Sequence, residues 1–152
     1  MDDTIKTKID SEISRINNNI EKHKFLFDLY ESGKEPELRD IESGGAFLQS
    51  FYNGVENITS MILKGINNEE ISNNAQWHTN LLNKAFETTE KRIALFDSKY
   101  KKQLNDYKSF RHVFRHKYGY EIDWEDVKPL IGGVKELWEN IKYDINNFIK
   151  KC

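Results

Sequence analysis

The segment 107–120 concentrates the side chains that could carry out chemistry. It contains two of the four histidines, two arginines and three of the seven tyrosines. Histidine exchanges protons near neutral pH because its ordinary pKa is about 6.5, and arginine binds phosphate through parallel N–H groups. These residue types suit acid–base chemistry on an anionic substrate, and the candidate set is Arg111, His116 and Tyr118.

His112 and His116 also have the spacing of a helical metal-binding pair, since residues four apart share one face of a helix. No third cysteine, histidine or carboxylate follows at a useful spacing, and the surrounding lysines and arginines oppose a cation. We therefore expect no metal site and no other cofactor.

On a helical wheel, this segment separates into an apolar line and a cationic flank. The apolar line consists of Tyr100, Leu104, Tyr107, Phe110 and Phe114, and the flank carries Lys101, Lys108, His112, Arg115 and His116. Arg111 lies at the edge of the apolar line, where a neighbouring helix or a second subunit would partly cover it. A partly covered arginine requires an anionic partner, which is either an acidic residue of the fold or a bound phosphate.

Arg111 and His116 are five residues apart, which corresponds to about 140° on an ideal helix. One straight helix therefore does not direct both side chains at the same atom. A bend at the end of the helix would bring them together, and so would a two-fold dimer in which two such helices face each other.

Charge is distributed unevenly along the chain. The formal net charge is −2, whereas residues 98–118 contain seven lysines and arginines against Asp106 alone and carry +6, which leaves −8 for the remainder. An acidic frame with one cationic segment favours local binding of an anion such as nucleic acid. A lysine-rich face that is only solvated is the alternative interpretation.

The length of 152 residues is typical of one domain, and residues 1–152 are treated as a single domain. Few prolines and long stretches without glycine favour an all-α fold. The lone cysteine, Cys152, allows no disulfide within the chain, and neither a signal peptide nor an apolar run of about 20 residues is found. A cytoplasmic protein outside the membrane is expected.

Apolar residues recur at helical spacing and predict an antiparallel bundle of four main helices plus a short helix. The main helices are expected at 3–31, 36–65, 98–117 and from Asp123 onward, and the short one at 77–86. Ser32-Gly33 and Gly119 are expected to end the first and third main helices. The stretches 66–76 and 88–96 are expected to be connections.

Three features of these helices bear on the site. His23 lies on an apolar stripe and is expected to be buried and hydrogen-bonded, whereas His78 is expected at the surface or as a cap. Gly44 and Gly45 lie inside the second main helix, where a close helix crossing or a hinge would explain them. A polar face on the same helix is either solvated or lines a cleft; it comprises Gln49, Tyr52, Asn53 and Glu56.

The sequence Arg111-His-Val-Phe-Arg-His116-Lys-Tyr118 resembles the Arg-x-x-x-x-His-x-Tyr signature of HEPN-domain ribonuclease toxins, in particular of their HepT-like branch. The continuation Gly-Tyr-Glu-Ile-Asp-Trp124 is similar to that branch as well. Fainter similarity extends to Trp77-His78 with Leu81-Leu82 and to the segment 46–57. The resemblance therefore covers most of the chain after about residue 40.

The resemblance implies a metal-independent endoribonuclease that works as a homodimer with the motif at the dimer cleft. His116 would take or give the proton when an RNA 2′-hydroxyl attacks the adjacent phosphate, and Arg111 would hold that phosphate. His112 would orient either partner. The RNA backbone would be steered by three further cations: Lys108, Arg115 and Lys117.

Tyr118 matches the position at which, in the HepT-like branch, a small nucleotidyltransferase antitoxin of the MntA type attaches AMP. The added phosphate would put negative charge and bulk into a cationic cleft and so exclude RNA. From the residues alone, the favoured interpretation of Tyr118 is a core tyrosine four positions after Phe114.

The resemblance thus predicts the toxin of a type VII-like toxin–antitoxin system, with RNA, a second copy of the chain and a cognate antitoxin as its partners. One alternative is a non-catalytic helical subunit that binds a minimal nucleotidyltransferase and helps to form its substrate site. Another is a general four-helix interaction module in which the motif is accidental.

Overall fold

The fold is all-α, as the sequence predicts. The computed structural model describes residues 2–71 and 74–151, and every regular element in these ranges is helical. The α-helices there are α1 (Asp3–Lys22), α2 (Lys24–Ser32), α3 (Leu38–Ser60), α4 (Trp77–Ala85), α5 (Lys101–Arg115) and α6 (Trp124–Lys150). A π-helical turn, Met61–Ile66, follows α3, and 3₁₀ turns flank α5 at Ser98–Tyr100 and Gly119–Glu121.

The long helix α3 is central to the bundle, because it packs against α1, α4, α5 and α6. Apolar side chains from all six helices meet in one core around Phe51 and Ile58 of α3. In the described ranges, no helix combines the length and hydropathy that a membrane span requires. The predictions for Cys152 and for part of the loop 66–76, at Ser72 and Asn73, concern residues outside these ranges.

The prediction of one continuous helix over 3–31 is wrong, because the chain breaks at His23. The Nδ1 atom of His23 lies 2.8 Å from the carbonyl oxygen of Asn19, which is the acceptor that a continuous helix would offer to the His23 N–H. That N–H instead bonds to the carbonyl of Ile20 at 3.2 Å. The His23 ring is only half-buried and packs 5.0 Å from the ring of Phe47. The break turns α2 so that Leu26 and Phe27 are both buried.

The glycine pair in α3 allows two close helix crossings, as one of the two sequence interpretations predicts. A Cβ atom on Gly44 would lie 2.7 Å from Cγ1 of Val127 in α6, and one on Gly45 would overlap the ring of Phe114 in α5. The helix runs through both positions without interruption, which excludes a hinge in this structure. The crossings fix α5 and α6 against α3.

The third main helix, predicted at 98–117, is shorter than expected, and Gly119 does not end it. After Asp97 caps the 3₁₀ turn by accepting from Lys99 N–H at 2.9 Å, α5 begins at Lys101 and ends at Arg115. His116 leaves the helical conformation with φ −107° and ψ 5°. Gly119 has no positive φ and instead begins a 3₁₀ turn, where a Cβ would lie 3.3 Å from the Glu42 side chain. Glycine is used there for close approach to α3.

A buried arginine, Arg92, fixes the far end of α4, although no sequence pattern predicted it. Arg92 donates to the carboxylate of Glu69 at 2.6 and 2.9 Å and to the carbonyls of Lys84 and Glu87 at 2.8 and 2.7 Å. Burial acts to raise the pKa of Glu69, but the hydrogen bonds and charge of Arg92 outweigh it and hold that pKa below its usual value. The last turn of α4 is thereby tied to both of its flanking connections.

We expect Gly44→Ala to destabilise the protein by about 1–2 kcal/mol. Alanine gains about 1 kcal/mol of helix propensity over glycine. A Cβ only 2.7 Å from the fully buried Val127 overpacks the crossing severely, at a cost in the upper part of the usual range, about 2–3 kcal/mol. Urea denaturation measures the difference. Ser50→Ala, at an exposed position of the same helix, is the control and should change stability by less than about 0.5 kcal/mol. A Gly44→Ala variant as stable as the wild type would contradict the close crossing.

Glu69→Gln should remove one component of the acid sensitivity of folding. The folded-state pKa of Glu69 is lowered, so its contribution is present above the ordinary glutamate pKa of about 4.3 and is lost as the pH falls through the folded value. Denaturation at pH 7 and near pH 3 should therefore show a smaller loss of stability in the variant than in the wild type. Equal losses would mean that the Arg92 contact does not hold the carboxylate.

Candidate functional site

Arg111 is the best-anchored cation of the motif. It is half-buried on α5, where its Nε–H donates to the side-chain oxygen of Asn53 on α3 and its Nη1 lies 3.4 Å from Nε2 of His78 on α4. Over residues 2–71 and 74–151, no carboxylate lies within ion-pairing distance of this guanidinium. An amide oxygen and a histidine ring thus hold the side chain, and its other N–H groups remain available to an anion.

His78 is not the surface or capping residue that the sequence suggested. Its Nδ1 lies 2.8 and 3.0 Å from the two carboxylate oxygens of Glu56, and its ring packs edge-to-face at 5.0 Å on Trp77. Glu56 is only 6% exposed, whereas the side chain of His78 keeps 37% of its surface exposed. The polar face of α3 is therefore not merely solvated: Glu56 contacts His78 of α4 and Asn53 contacts Arg111 of α5.

Tyr52 lies beneath this cluster in the core. Its hydroxyl is buried without a hydrogen-bond partner of acceptable geometry among the described residues. Burial first, and then the charge of Glu56, raise the pKa of Tyr52 far above its usual range, while the charge of Arg111 acts in the opposite direction. Tyr52 is therefore a neutral phenol whose pKa is raised by the charge of Glu56 and lowered by that of Arg111.

A groove of about 450 Å³ opens beside Arg111, between the start of α4 and the end of α5. Its walls include both residues that the sequence proposes for chemistry, Arg111 and His116. His116 reaches it because α5 ends at Arg115 and the backbone of His116 is no longer helical. Both side chains therefore line one groove of a single chain, and the helix ends between them.

The remaining cations of the motif take different positions. His112 lines the groove, and its ring lies 4.7 Å from that of His116. Arg115 lines the groove and is exposed, while Lys108 is half-buried and donates from Nζ to the Thr79 hydroxyl at 3.0 Å. Lys117 is exposed but is not part of the groove wall.

Tyr118 lies past the end of α5 and is 71% exposed, so its interpretation as a core tyrosine is wrong. Its ring stacks on that of Tyr120, itself 68% exposed, with centroids 5.7 Å apart and planes 2° from parallel. The Tyr118 backbone N–H donates to the carboxylate of Glu121 at 2.8 Å. The hydroxyl is thus carried on an ordered backbone at the surface, outside the groove wall.

His112 and His116 are the residues that the sequence spacing marks as a possible helical metal pair. In the part of the chain that the structure describes, no group of three or more His, Cys, Asp or Glu side chains converges on one point. His112 and His116 remain a pair that faces arginines and a lysine.

An all-helical bundle that carries Arg-x-x-x-x-His at the end of a long helix and brings both side chains to one groove is of the HEPN type. The chain belongs to the HepT-like family, since the family model described as HepT-like protein matches residues 44–152. It is thus a HEPN-type protein of a family associated with toxin–antitoxin systems. No curated protein and no solved structure matches the chain.

The matched range begins at the α3 glycine pair and contains every residue that holds Arg111 or lines the groove. Helices α1 and α2 precede it. The sequence resemblance, which was noted from about residue 40 onward, is therefore confirmed in family and in extent. His78, whose position sequence reasoning misjudged, lies inside this range.

Proposed function

We propose that this protein is the toxin of a toxin–antitoxin pair and a metal-independent endoribonuclease. The observation that carries the proposal is the half-buried Arg111, which neutral groups hold beside a groove that also contains His116. A buried guanidinium without a carboxylate partner is suited to a phosphodiester, which supplies the missing negative charge. RNA offers that charge next to a reactive 2′-hydroxyl.

In the proposed reaction the 2′-oxygen of RNA forms a bond to phosphorus while the bond to the 5′-oxygen breaks. A base takes the 2′-hydroxyl proton and an acid gives a proton to the leaving 5′-oxygen, so the products are a 2′,3′-cyclic phosphate and a 5′-hydroxyl. His116 takes or gives one of these protons, and Arg111 binds the phosphate oxygens as charge develops on them. His112, in contact with the His116 ring, orients it.

A two-fold dimer completes the proposed site. One His116 supplies only one of the two proton transfers at a time, and a second copy of the chain would bring a second His116 to the same cleft. The cationic segment 98–118 then attracts the RNA backbone from both protomers. Lys108, Arg115 and Lys117 supply part of that charge.

Neutralisation is proposed to occur at Tyr118. A partner nucleotidyltransferase of the MntA type would join the Tyr118 oxygen to the α-phosphorus of ATP, with loss of the phenol proton and release of pyrophosphate. The 71% exposure of Tyr118 supports access of a second enzyme to this hydroxyl. The new phosphate would lie two residues from His116 and compete with RNA for the same cations.

Arg111→Ala and His116→Ala should each reduce RNA cleavage about 10²- to 10³-fold or more, because each removes one contribution to the transition state. Purified protein in EDTA, incubated with RNA, should release ends that carry 2′,3′-cyclic phosphate. Arg39→Ala is the control, since Arg39 is exposed in an ion pair with Glu37 away from the groove. Circular dichroism confirms that each variant is folded.

Undiminished cleavage in both groove variants would refute the ribonuclease assignment. A wild-type protein that never cuts RNA but raises the activity of a bound nucleotidyltransferase would establish the non-catalytic alternative instead.

Co-expression with the cognate nucleotidyltransferase should add AMP to Tyr118. Mass spectrometry should find the modification on the peptide that contains Tyr118 and should find none in Tyr118→Phe. The matched controls are Tyr120→Phe and Tyr143→Phe, which remove other tyrosines of similar exposure, 68% and 71%, and should leave the modification intact. An unmodified Tyr118 in a detoxified complex would contradict this mechanism of control.

A further inference from the structure

We infer that Glu56 and His78 form a positioning pair that holds Arg111 ready to bind phosphate, an inference that rests on the proposed function of Arg111. The three side chains come from α3, α4 and α5 and form one continuous chain of contacts. Glu56 lies 2.8 Å from Nδ1 of His78, and Nε2 of the same ring lies 3.4 Å from Nη1 of Arg111.

The two partners of His78 determine where its hydrogen lies. An ionised carboxylate can only accept a hydrogen bond and a guanidinium can only donate one. Nδ1 must therefore carry the hydrogen towards Glu56, and Nε2 must present its lone pair to Arg111. In a free histidine the two ring nitrogens have no such fixed assignment, so the arrangement is imposed by the carboxylate.

Glu56 is only 6% exposed. Burying its carboxylate costs desolvation free energy that hydrogen bonds or an opposite charge must offset. Across the residues that the structure describes, the ring of His78 contacts its carboxylate, and no lysine or arginine lies within ion-pairing distance of it. The His78 ring lies between Glu56 and Arg111, so the negative charge of Glu56 stabilises the arginine charge electrostatically without a direct contact. This arrangement balances the arginine charge in the core while leaving the phosphate-binding N–H groups unoccupied.

A direct Glu56–Arg111 ion pair would do the opposite. A bidentate carboxylate would occupy the same parallel N–H groups that a phosphate uses. The intervening ring therefore separates two demands on Arg111: neutralisation within the fold and availability to a ligand. Asn53, which accepts from Nε–H, fixes the other edge of the guanidinium without adding charge.

The position of α4 decides whether this chain of contacts is complete. Leu81 and Leu82 of α4 are buried in the core, and Thr79 accepts a hydrogen bond from Lys108 on α5. Arg92 fixes the carboxyl end of the same helix through the carbonyl of Lys84. Helix α4 is therefore held at both ends with His78 between α3 and α5.

The first test determines directly which ring nitrogen of His78 carries the hydrogen. In ¹⁵N-histidine-labelled protein, the two-bond ¹H–¹⁵N spectrum at a pH where the ring is uncharged should show Nδ1 protonated and Nε2 unprotonated. Glu56→Gln should weaken that preference, and Arg111→Ala should shift the Nε2 resonance. A ring that carries its hydrogen on Nε2 in the wild type, or an Nε2 signal that is unchanged by Arg111→Ala, would overturn the inference.

The second test asks whether His78 acts through Arg111. Binding of a fluorescent, uncleavable 2′-O-methyl RNA oligonucleotide is measured for His78→Phe, Arg111→Ala and the double variant. His78→Phe should weaken binding about 10- to 100-fold in the wild-type background and have little further effect once Arg111 is absent. Full additivity of the two losses would refute a positioning role.

Two controls keep these tests decisive. Glu56→Gln preserves side-chain volume, so a weaker Nδ1 preference in that variant cannot be ascribed to lost packing. Thermal unfolding shows whether His78→Phe is folded. Asn83→Ala, at an exposed position on the same helix α4, should bind RNA as the wild type does. The histidine spectrum requires neither cleavage nor binding, so it decides on the pair even if the protein proves not to be a ribonuclease.

Discussion

The geometry of the site depends on one constraint. The guanidinium of Arg111 is half-buried, and no carboxylate of the residues that the structure describes is in contact with it. Burying a charge is costly unless hydrogen bonds and an opposite charge compensate it. Here the hydrogen bonds come from Asn53 and His78, and the opposite charge, on Glu56, is one ring away. Three helices must be in register for this compensation, so the site and the packing of α3, α4 and α5 stabilise each other.

The helices themselves were predictable because they depend on local pattern. Apolar spacing along α3 and α6 determines which side of each helix is buried, and the α3 glycine pair marked close crossings before any partner was known. The break at His23 was not predictable in this way, since the histidine fits the apolar stripe. It occurs because the His23 side chain bonds to the Asn19 carbonyl, which would otherwise accept from the His23 backbone N–H. Such competition between side chain and backbone does not alter the hydrophobic periodicity.

The candidate site was predictable only on α5. Arg111 and His116 belong to one short motif, whereas their support comes from residues far away in sequence. Asn53 is 58 positions from Arg111, and His78 is 33 positions from it. Sequence reasoning placed Asn53 and Glu56 on one polar face but could not pair that face with His78, because the pairing depends on how α4 docks. Membership of the HepT-like family locates the same segment and says nothing about these contacts.

The exposed Tyr118 has a consequence that follows from its distance along the chain. It lies two residues after His116, so any group attached to its hydroxyl is tethered beside the groove. A ligand on a short tether experiences an effective concentration in the millimolar range or above. An attached nucleotide would therefore compete with RNA as an intramolecular ligand, and raising the cellular RNA concentration would do little to displace it. Restraint of this kind persists after the modifying enzyme has dissociated and ends only when the bond to tyrosine is cut or the chain is replaced.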